Sequence, residues 1–311
     1  MRGIRGEIIQ KYIVGGIMKN NKKIRVYFDY NIYEDYAKGK IQLNLTELRK
    51  YYSVYQSVAL IEEYYKAEKN CNEDNKNNLN STRLAMSDIN YDKHMLCPGD
   101  TRIICESDTF EKRYSIVKKY DTQEYVAESA KHNYKIFKQL ANEKKNNNSN
   151  MINYSNLSCE DIWNQKEIRE YLEKFSVFLE EHNSECKLQL TKFYGIGARK
   201  TMKRLKKNYF LLKDMMFSEE VYPDILKLQT TIEFLNELLQ GCGYNSDKKN
   251  TAVSGVYDIS HMIYATYCDF FVTNDTRLAK RANAIYYYLG IGTKVVTFEE
   301  FSKLKDAICS G

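Results

Sequence analysis

Proline and long hydrophobic runs are what this sequence has least of. Only two of its 311 residues are prolines, so few positions interrupt a helical pattern. No stretch approaches the run of about 18 apolar residues that a membrane-spanning helix requires. We therefore expect a protein without a membrane-embedded part, and we expect it in the cytoplasm.

The sequence also lacks a C-x-x-C motif. Its eight cysteines are scattered along the chain, unlike the compact spacing of a zinc site or a disulfide framework. No secretory signal is recognisable in the basic, partly apolar N-terminal segment. The expected state of the cysteines is therefore a reduced thiol, acting mostly as a small buried apolar side chain.

The formal net charge of +6 is modest for this length. If a cluster of carboxylates is concentrated at one site, however, the remaining surface becomes distinctly basic. Such a surface favours a polyanionic partner, although a mildly basic charge is also common in proteins without one.

Strands alternate with helices near both ends of the sequence. Residues 24–28 form a short apolar run typical of a buried strand, and residues 58–67 have helical spacing. From Asp258 onward the pattern indicates helix, strand, helix, strand and helix, with a capping box of Thr297 and Glu300 before the last helix. This alternation predicts an α/β fold with a central parallel sheet.

The centre of the sequence has a different pattern. Charged and apolar residues recur at helical spacing over residues 108–141, 160–185 and 200–240, and the Asn-rich segments 70–80 and 142–150 indicate loops. Residues 101–105 fit either a short strand or a buried helix. We therefore expect a long, mostly helical insertion.

Acidic residues occur at the ends of the predicted elements. Asp29 directly follows the first strand, and Asp275 follows a predicted strand at residues 270–273. Asp258 is expected at the start of a helix of roughly ten residues. Because ligands of open parallel sheets bind beyond the carboxyl ends of the strands, Asp29 and Asp275 can converge there, with Asp258 closing the group.

Several carboxylates placed together repel one another, and a hard divalent cation such as Mg²⁺ or Mn²⁺ offsets that cost best. Such an ion activates water and neutralises charge on a phosphodiester. Phosphodiester hydrolysis is therefore the expected reaction.

The motifs that carry these acids resemble those of a PIN domain. They are F-D-Y-N at the end of the first strand, S-x-x-x-x-E-E on the following helix, D-I-S-H-M-I-Y-A, C-D-F-F-V-T-N-D and a closing helix. PIN domains are typically Mg²⁺- or Mn²⁺-dependent ribonucleases with three or four acids around the metal, and many are toxins of toxin–antitoxin pairs. The resemblance implies a PIN-like three-layer α/β/α fold, an RNA substrate and, as further partners, an antitoxin or other protein or a second copy of the chain.

The resemblance also implies roles for individual residues. Asp29 matches the first acid, Glu63 the second, Asp258 the third and Asp275 the fourth, while Asp269 matches an outer acid that joins the metal site. Glu63 is chosen over Glu62 by its spacing from Ser57. The expected substrate contacts are Asn31, Thr273, Asn274, Arg277, Lys280 and, in the basic segment 199–209, Arg199, Lys203 and Arg204.

The PIN-like domain is predicted to span residues 22–311, after a flexible leader at residues 1–21. It is built from residues 22–69 and 250–311, with residues 70–249 as the mainly helical middle. This middle is much larger than in compact PIN toxins.

Each acid taken singly also has a structural explanation. Asp258 and Asp275 stand where helix N-caps are expected, and Asp29 can end a strand through an Asx-turn. Their joint placement at successive element ends favours the functional interpretation. For His261 we expect local packing or hydrogen bonding. For the basic segment, a solvated helix face explains the charges as well as contact with an RNA backbone does.

The function predicted from the sequence is a metal-dependent endoribonuclease. Two alternatives remain at this point: an inactive PIN-like module that binds RNA or protein, and a related nuclease that cuts DNA in defence against mobile elements.

Overall fold

The computed structural model describes residues 23–99, 102–120, 154–166, 168–170, 225–246 and 252–309. Within these ranges the chain forms six strands, nine α-helices and three short 3-10 helices. The strands are β1 (Ile24–Phe28), β2 (Tyr52–Ser57), β3 (His94–Pro98), β4 (Ile103–Ser107), β5 (Phe270–Val272) and β6 (Lys294–Val296). The helices are α1 (Tyr30–Ala37), α2 (Leu45–Tyr51), α3 (Val58–Lys69), α4 (Lys76–Ile89), α5 (Phe110–Tyr120), α6 (Ile225–Gly241), α7 (Ala252–Ala265), α8 (Thr276–Leu289) and α9 (Phe298–Cys309).

The strands form one sheet in the order β4-β3-β2-β1-β5-β6. All neighbours are parallel except the β3–β4 hairpin. A Cβ atom at Gly99 would lie 2.8 Å from the Arg102 carbonyl oxygen, so this hairpin requires glycine at its turn. The central strand β1 is almost continuously apolar because helices cover both of its faces.

The expectation of an α/β fold with a mostly parallel central sheet is confirmed. The middle of the chain differs from its prediction, since β3 and β4 both lie within residues 70–249 and extend the sheet. Residues 101–105 contain the start of β4, so a strand is the correct alternative there. The helix α6 confirms part of the predicted helical centre. The predicted leader lies outside the described residues.

Helices α1, α4 and α9 cover one face of the sheet. Phe301 of α9 packs edge-on against Phe28 of β1, and Tyr33 of α1 contacts the same ring. Helix α4 lies beside α1, where the Gln56 side chain of β2 donates a hydrogen bond to the backbone oxygen of Met86 (2.8 Å).

Helices α3, α7 and α8 cover the opposite face. Because side chains alternate along a strand, Tyr27 of β1 points away from the Phe28 side, toward His261 of α7. Helix α3 contacts α7, and Tyr286 of α8 donates a hydrogen bond to the backbone oxygen of Met262. With α6 packed against both α7 and α8, the described chain has helices on both sides of one sheet.

The strand order creates a crevice at the carboxyl ends of β1 and β5. The chain leaves β1 toward β2 on one side of the sheet and leaves β5 toward β6 on the other. The Asp29 amide donates a hydrogen bond to the Val272 carbonyl (3.0 Å), which keeps the two strand ends adjacent. In open α/β sheets this reversal of direction marks the usual position of a ligand site.

None of the helices that the structure describes is both long enough and apolar enough to cross a membrane.

We predict that Phe301→Ala destabilises the protein by about 3 to 5 kcal/mol, because it leaves a cavity between α9 and the sheet. Phe301 is 1% exposed. Urea unfolding measures the change. Leu84→Ala is the control, because Leu84 of α4 is 59% exposed and its loss should cost no more than about 0.5 kcal/mol. Equal effects of the two substitutions would contradict the described packing of α9.

Candidate metal site

Asp29 lies at the carboxyl end of β1, where it serves as the N-cap of α1. Its Oδ1 atom accepts a hydrogen bond from the Tyr30 amide (2.8 Å). Its Oδ2 atom accepts bonds from the Asn31 side-chain amide and from the Thr273 hydroxyl (2.7 Å). The carboxylate is buried, so these bonds fix its orientation beside the end of β5.

Glu63 reaches Asp29 from α3. This helix starts at Ser57, whose Oγ atom accepts a hydrogen bond from the Leu60 amide (3.4 Å). Glu63 follows six residues later, nearly two turns along the helix, and is half-buried. The group around Asp29 contains Glu63 and not the neighbouring Glu62.

His261 of α7 completes the group. Its Nε2 atom lies 2.9 Å from Glu63 Oε2 and 3.6 Å from Asp29 Oδ1. Its Nδ1 atom lies 2.8 Å from the Tyr27 hydroxyl, which is itself 2.6 Å from Ser57 Oγ. His261 is buried, and its hydrogen-bond partners are on β1 and α3 rather than on its own helix. Its spacing of three residues from Asp258 on one helix is the signal that sequence reasoning could have used.

One donor atom from each of Asp29, Glu63 and His261 lies within 4.8 Å of the other two. Two carboxylate oxygens and one imidazole nitrogen are all common ligands of divalent metal ions. Among the described residues, this group is the one whose donors converge closely enough to hold such an ion.

Burial and mutual charge shift the titration of this group. Burial alone favours the neutral form of His261, but the hydrogen bond with Glu63 and the charges of Asp29, Glu63 and Asp258 outweigh it and raise the His261 pKa. Burial also raises the pKa of the Asp29 carboxyl, and Glu63 adds to this effect. The charge of His261 and the bonds from Thr273 and Tyr30 oppose the rise.

Asp258 lies inside α7, one turn before His261. The prediction that it starts a helix is wrong, because α7 begins at Ala252. Its carboxylate forms an ion pair with Arg281 of α8, at 3.4 Å between Oδ2 and Nη2. Arg281 is 0% exposed and also donates to Asn236 Oδ1 (3.0 Å) and to the Asn245 carbonyl (2.7 Å). The negative charge of Asp258 thus acts on His261, while its carboxylate is paired with the buried guanidinium of Arg281.

Asp275 is exposed at the carboxyl end of β5. Its Oδ1 atom accepts hydrogen bonds from the amides of Arg277 (2.8 Å) and Leu278 (3.0 Å), so it is the N-cap of α8 as its position indicated. Its amide donates to Thr273 Oγ1 (3.1 Å), the same hydroxyl that binds Asp29. Asp275 therefore lies at the rim of the site.

Asp269 lies at the opposite end of the strands. It precedes β5, and its carboxylate binds the Arg25 guanidinium (2.8 Å) and backbone amide (2.8 Å) at the start of β1. This position does not support the expected role in the metal site, because the length of β5 separates Asp269 from the Asp29 end of the sheet.

Three residues expected to contact substrate, Asn31, Thr273 and Asn274, form a hydrogen-bond network that reaches Asp29. The side-chain amide of Asn31 donates to Asp29 and Thr273, and its oxygen accepts from the Asn274 amide (3.1 Å). The Asn274 side chain donates to Asp35 (3.0 Å) and accepts from the Phe298 amide. Asn31 and Thr273 thus orient the Asp29 carboxylate, and the Asn274 amide orients the Asn31 side chain.

The basic residues proposed for substrate binding lie in two places. Arg277 and Lys280 are exposed on α8, and Lys280 donates to the Ser155 carbonyl (3.2 Å). The basic segment containing Arg199, Lys203 and Arg204 lies outside the described residues. The structure instead shows Lys66, which the sequence argument missed, half-buried one turn beyond Glu63.

The Lys66 ammonium lies 4.9 Å from the centre of the Tyr257 ring. Desolvation lowers its pKa, while the charges of Glu63 and Asp258 act in the opposite direction. Lys66 is therefore a cation next to the acidic group, and its spacing of three residues from Glu63 on one helix is the signal that sequence reasoning could have used.

Comparison of the chain with protein-family models finds no match, and comparisons with curated proteins and with solved structures find no significant match either.

We predict that the metal-free protein loses stability as the pH rises above 6.5, the ordinary pKa of histidine. Because the folded state raises the His261 pKa, it binds a proton more tightly than the unfolded state does. The stabilisation is complete below the unfolded pKa and is lost as the pH rises through the folded pKa. Urea midpoints in EDTA at about pH 6 and about pH 8 measure the effect.

His261→Gln should flatten this decline. His94→Gln is the control. Burial lowers the His94 pKa, so the contribution of His94 to the free energy of unfolding has the opposite pH dependence and decreases as the pH is lowered below 6.5. The assignment fails if His261→Gln leaves the decline unchanged.

Proposed function

We propose that this chain is a metal-dependent endoribonuclease with a PIN-like fold. The observation that carries the proposal is the convergence of Asp29, Glu63 and His261 at the carboxyl ends of the central strands, with donor atoms within 4.8 Å of one another. The order of motifs that resembles a PIN domain supports the same conclusion from the sequence.

The carboxylates of Asp29 and Glu63 would hold the ion beside His261, with Mg²⁺ and Mn²⁺ as the candidates from the carboxylate content of the site. A divalent ion bound there supplies an activated water and neutralises charge on the phosphodiester. Asn31 and Thr273 keep the Asp29 carboxylate in one orientation through their hydrogen bonds. Asp258 and Asp275 complete the acidic surroundings, one beside His261 and one at the rim.

Lys66 gives the site an attraction for the anionic substrate. Its ammonium lies beside Glu63 and Asp258 on the side of α3 that faces α7. A half-buried cation next to an acidic metal site attracts a phosphate oxygen more strongly than a fully hydrated lysine does. We assign Lys66 to the binding of the phosphate that is cleaved.

RNA is the proposed polymer because of the resemblance to PIN ribonucleases and the net charge of +6. The basic surface left when the acids gather at one site suits a polyanion. Since the hydrolysis itself is shared by RNA and DNA, the experiment includes both.

We predict that the purified protein cleaves labelled RNA with Mn²⁺ or Mg²⁺ and not with EDTA. Asp29→Asn and Glu63→Gln should each lower the rate by more than about 100-fold, because even residues that only orient a metal ligand are worth about 10- to 100-fold. Both substitutions keep the size of the side chain, and circular dichroism verifies the fold.

Asp269→Asn is the matched control, since it removes a carboxylate at the opposite end of the same sheet and should leave the rate unchanged. Cleavage of DNA but not RNA of the same sequence would replace the proposed substrate. The absence of cleavage in every metal, with RNA still bound, would favour the non-catalytic module.

We predict that Asp275→Asn lowers the cleavage rate without lowering the melting temperature. Asparagine caps a helix as well as aspartate does, so α8 keeps its N-cap while the rim of the site loses a charge. A thermal melt and the same cleavage assay measure the two effects. An unchanged rate would restrict Asp275 to helix capping.

A further inference from the structure

We propose that His261 is a direct ligand of the metal ion and that its imidazole makes the site select Mn²⁺ over Mg²⁺. The inference rests on the metal site of the proposed function and extends it to the choice of ion. It gives His261 a role that the four acids matched from the PIN resemblance do not include.

The first argument is the direction of the imidazole. Nε2 lies 2.9 Å from Glu63 Oε2 and 3.6 Å from Asp29 Oδ1. Two ligands that each lie about 2.1 Å from one ion are about 3 to 3.5 Å apart when they are neighbours in its coordination sphere. Both separations from Nε2 are therefore close to those of neighbouring ligands in a common sphere, and Nε2 has the place of the third ligand beside the two carboxylates.

The second argument is the support on the other side of the ring. Nδ1 lies 2.8 Å from the Tyr27 hydroxyl, and that hydroxyl lies 2.6 Å from Ser57 Oγ. All three side chains are buried. In the metal-free site Nε2–H donates to the Glu63 carboxylate (2.9 Å). When a metal ion takes the place of that proton, Nδ1 can donate to Tyr27 and Tyr27 to Ser57, which leaves the Nε2 lone pair for the ion. Metal-binding histidines commonly have such a partner on their second nitrogen.

The third argument is the chemistry of the ligands. Mg²⁺ prefers oxygen ligands and gives up its water reluctantly, whereas first-row transition ions accept imidazole nitrogen readily. Mn²⁺ also suits the two carboxylates of Asp29 and Glu63. A site with two carboxylates and one imidazole therefore favours Mn²⁺, and removal of the imidazole should reduce that preference.

The test combines pulsed electron paramagnetic resonance with metal titration, on protein purified without a histidine tag. A background variant replaces the other three histidines, His94, His132 and His182, by Gln, which leaves His261 as the sole imidazole. With Mn²⁺ bound, this variant should show nitrogen coupling in the electron spin echo. His261→Gln in the same background should lose the coupling.

Isothermal titration measures the Mn²⁺ and Mg²⁺ affinities of the same proteins. We expect His261→Gln to reduce the ratio of Mn²⁺ to Mg²⁺ affinity by at least about 10-fold, as loss of a ligand should exceed the weaker effect of a supporting residue. Tyr27→Phe keeps the ring and removes the hydroxyl, so it should weaken Mn²⁺ binding by about 10- to 100-fold while the nitrogen coupling remains.

The outcomes separate this inference from the proposed function. If Mn²⁺ binds and depends on Asp29 but shows no nitrogen coupling, or if the affinity ratio is unchanged in His261→Gln, the ligand role is overturned and the metal site stands. If neither ion binds the wild-type protein, both proposals are wrong. If His261→Gln does not fold, the coupling in the sole-histidine variant decides, and its absence overturns the proposal.

Discussion

The burial of Asp29 beside Glu63 and His261 is the interaction on which the geometry of the site depends. A buried carboxylate without compensation costs several kcal/mol, so its partners must be in place for the fold to be stable. Those partners come from different parts of the molecule: Asn31 from α1, Thr273 from the end of β5 and His261 from α7. The charge is therefore satisfied only when the sheet and its helices have assembled around it.

Charged residues of alternating sign extend from this group toward α6. Asp258 lies one turn before His261 on the same helix, and Arg281 of α8 forms an ion pair with Asp258. Arg281 is fully buried and binds Asn236 of α6 and the Asn245 carbonyl as well. A pairing of this kind contributes little net stability but disfavours other arrangements of the helices, because any of them leaves a buried charge without a partner. These interactions between α7, α8 and α6 thus fix the position of α7 over the site.

Sequence patterns predicted correctly the features that depend on residues close together in the chain. The capping box of Thr297 and Glu300 is present, and the strand after which Asp29 stands is present as predicted. The β2 strand Tyr52–Ser57 was missed because its burial depends on its neighbours in the sheet rather than on its own composition. The same holds for His261, whose partners are distant in sequence. Asp269 resembles a site residue in sequence, and only the direction of β5 shows that it lies at the other end of the strands.

The separation of the site residues along the chain also has a consequence during synthesis. The side chains of Asp29 and Thr273, which bond to each other, are 244 positions apart in sequence. At about 5 to 20 residues per second, a ribosome needs about 10 to 50 s to make that interval. A nascent chain thus carries Asp29 and Glu63 for much of its synthesis without the histidine that faces them. The three donor groups of the candidate metal site therefore exist together only after translation has passed α7, and Thr273, which orients Asp29, follows at the end of β5.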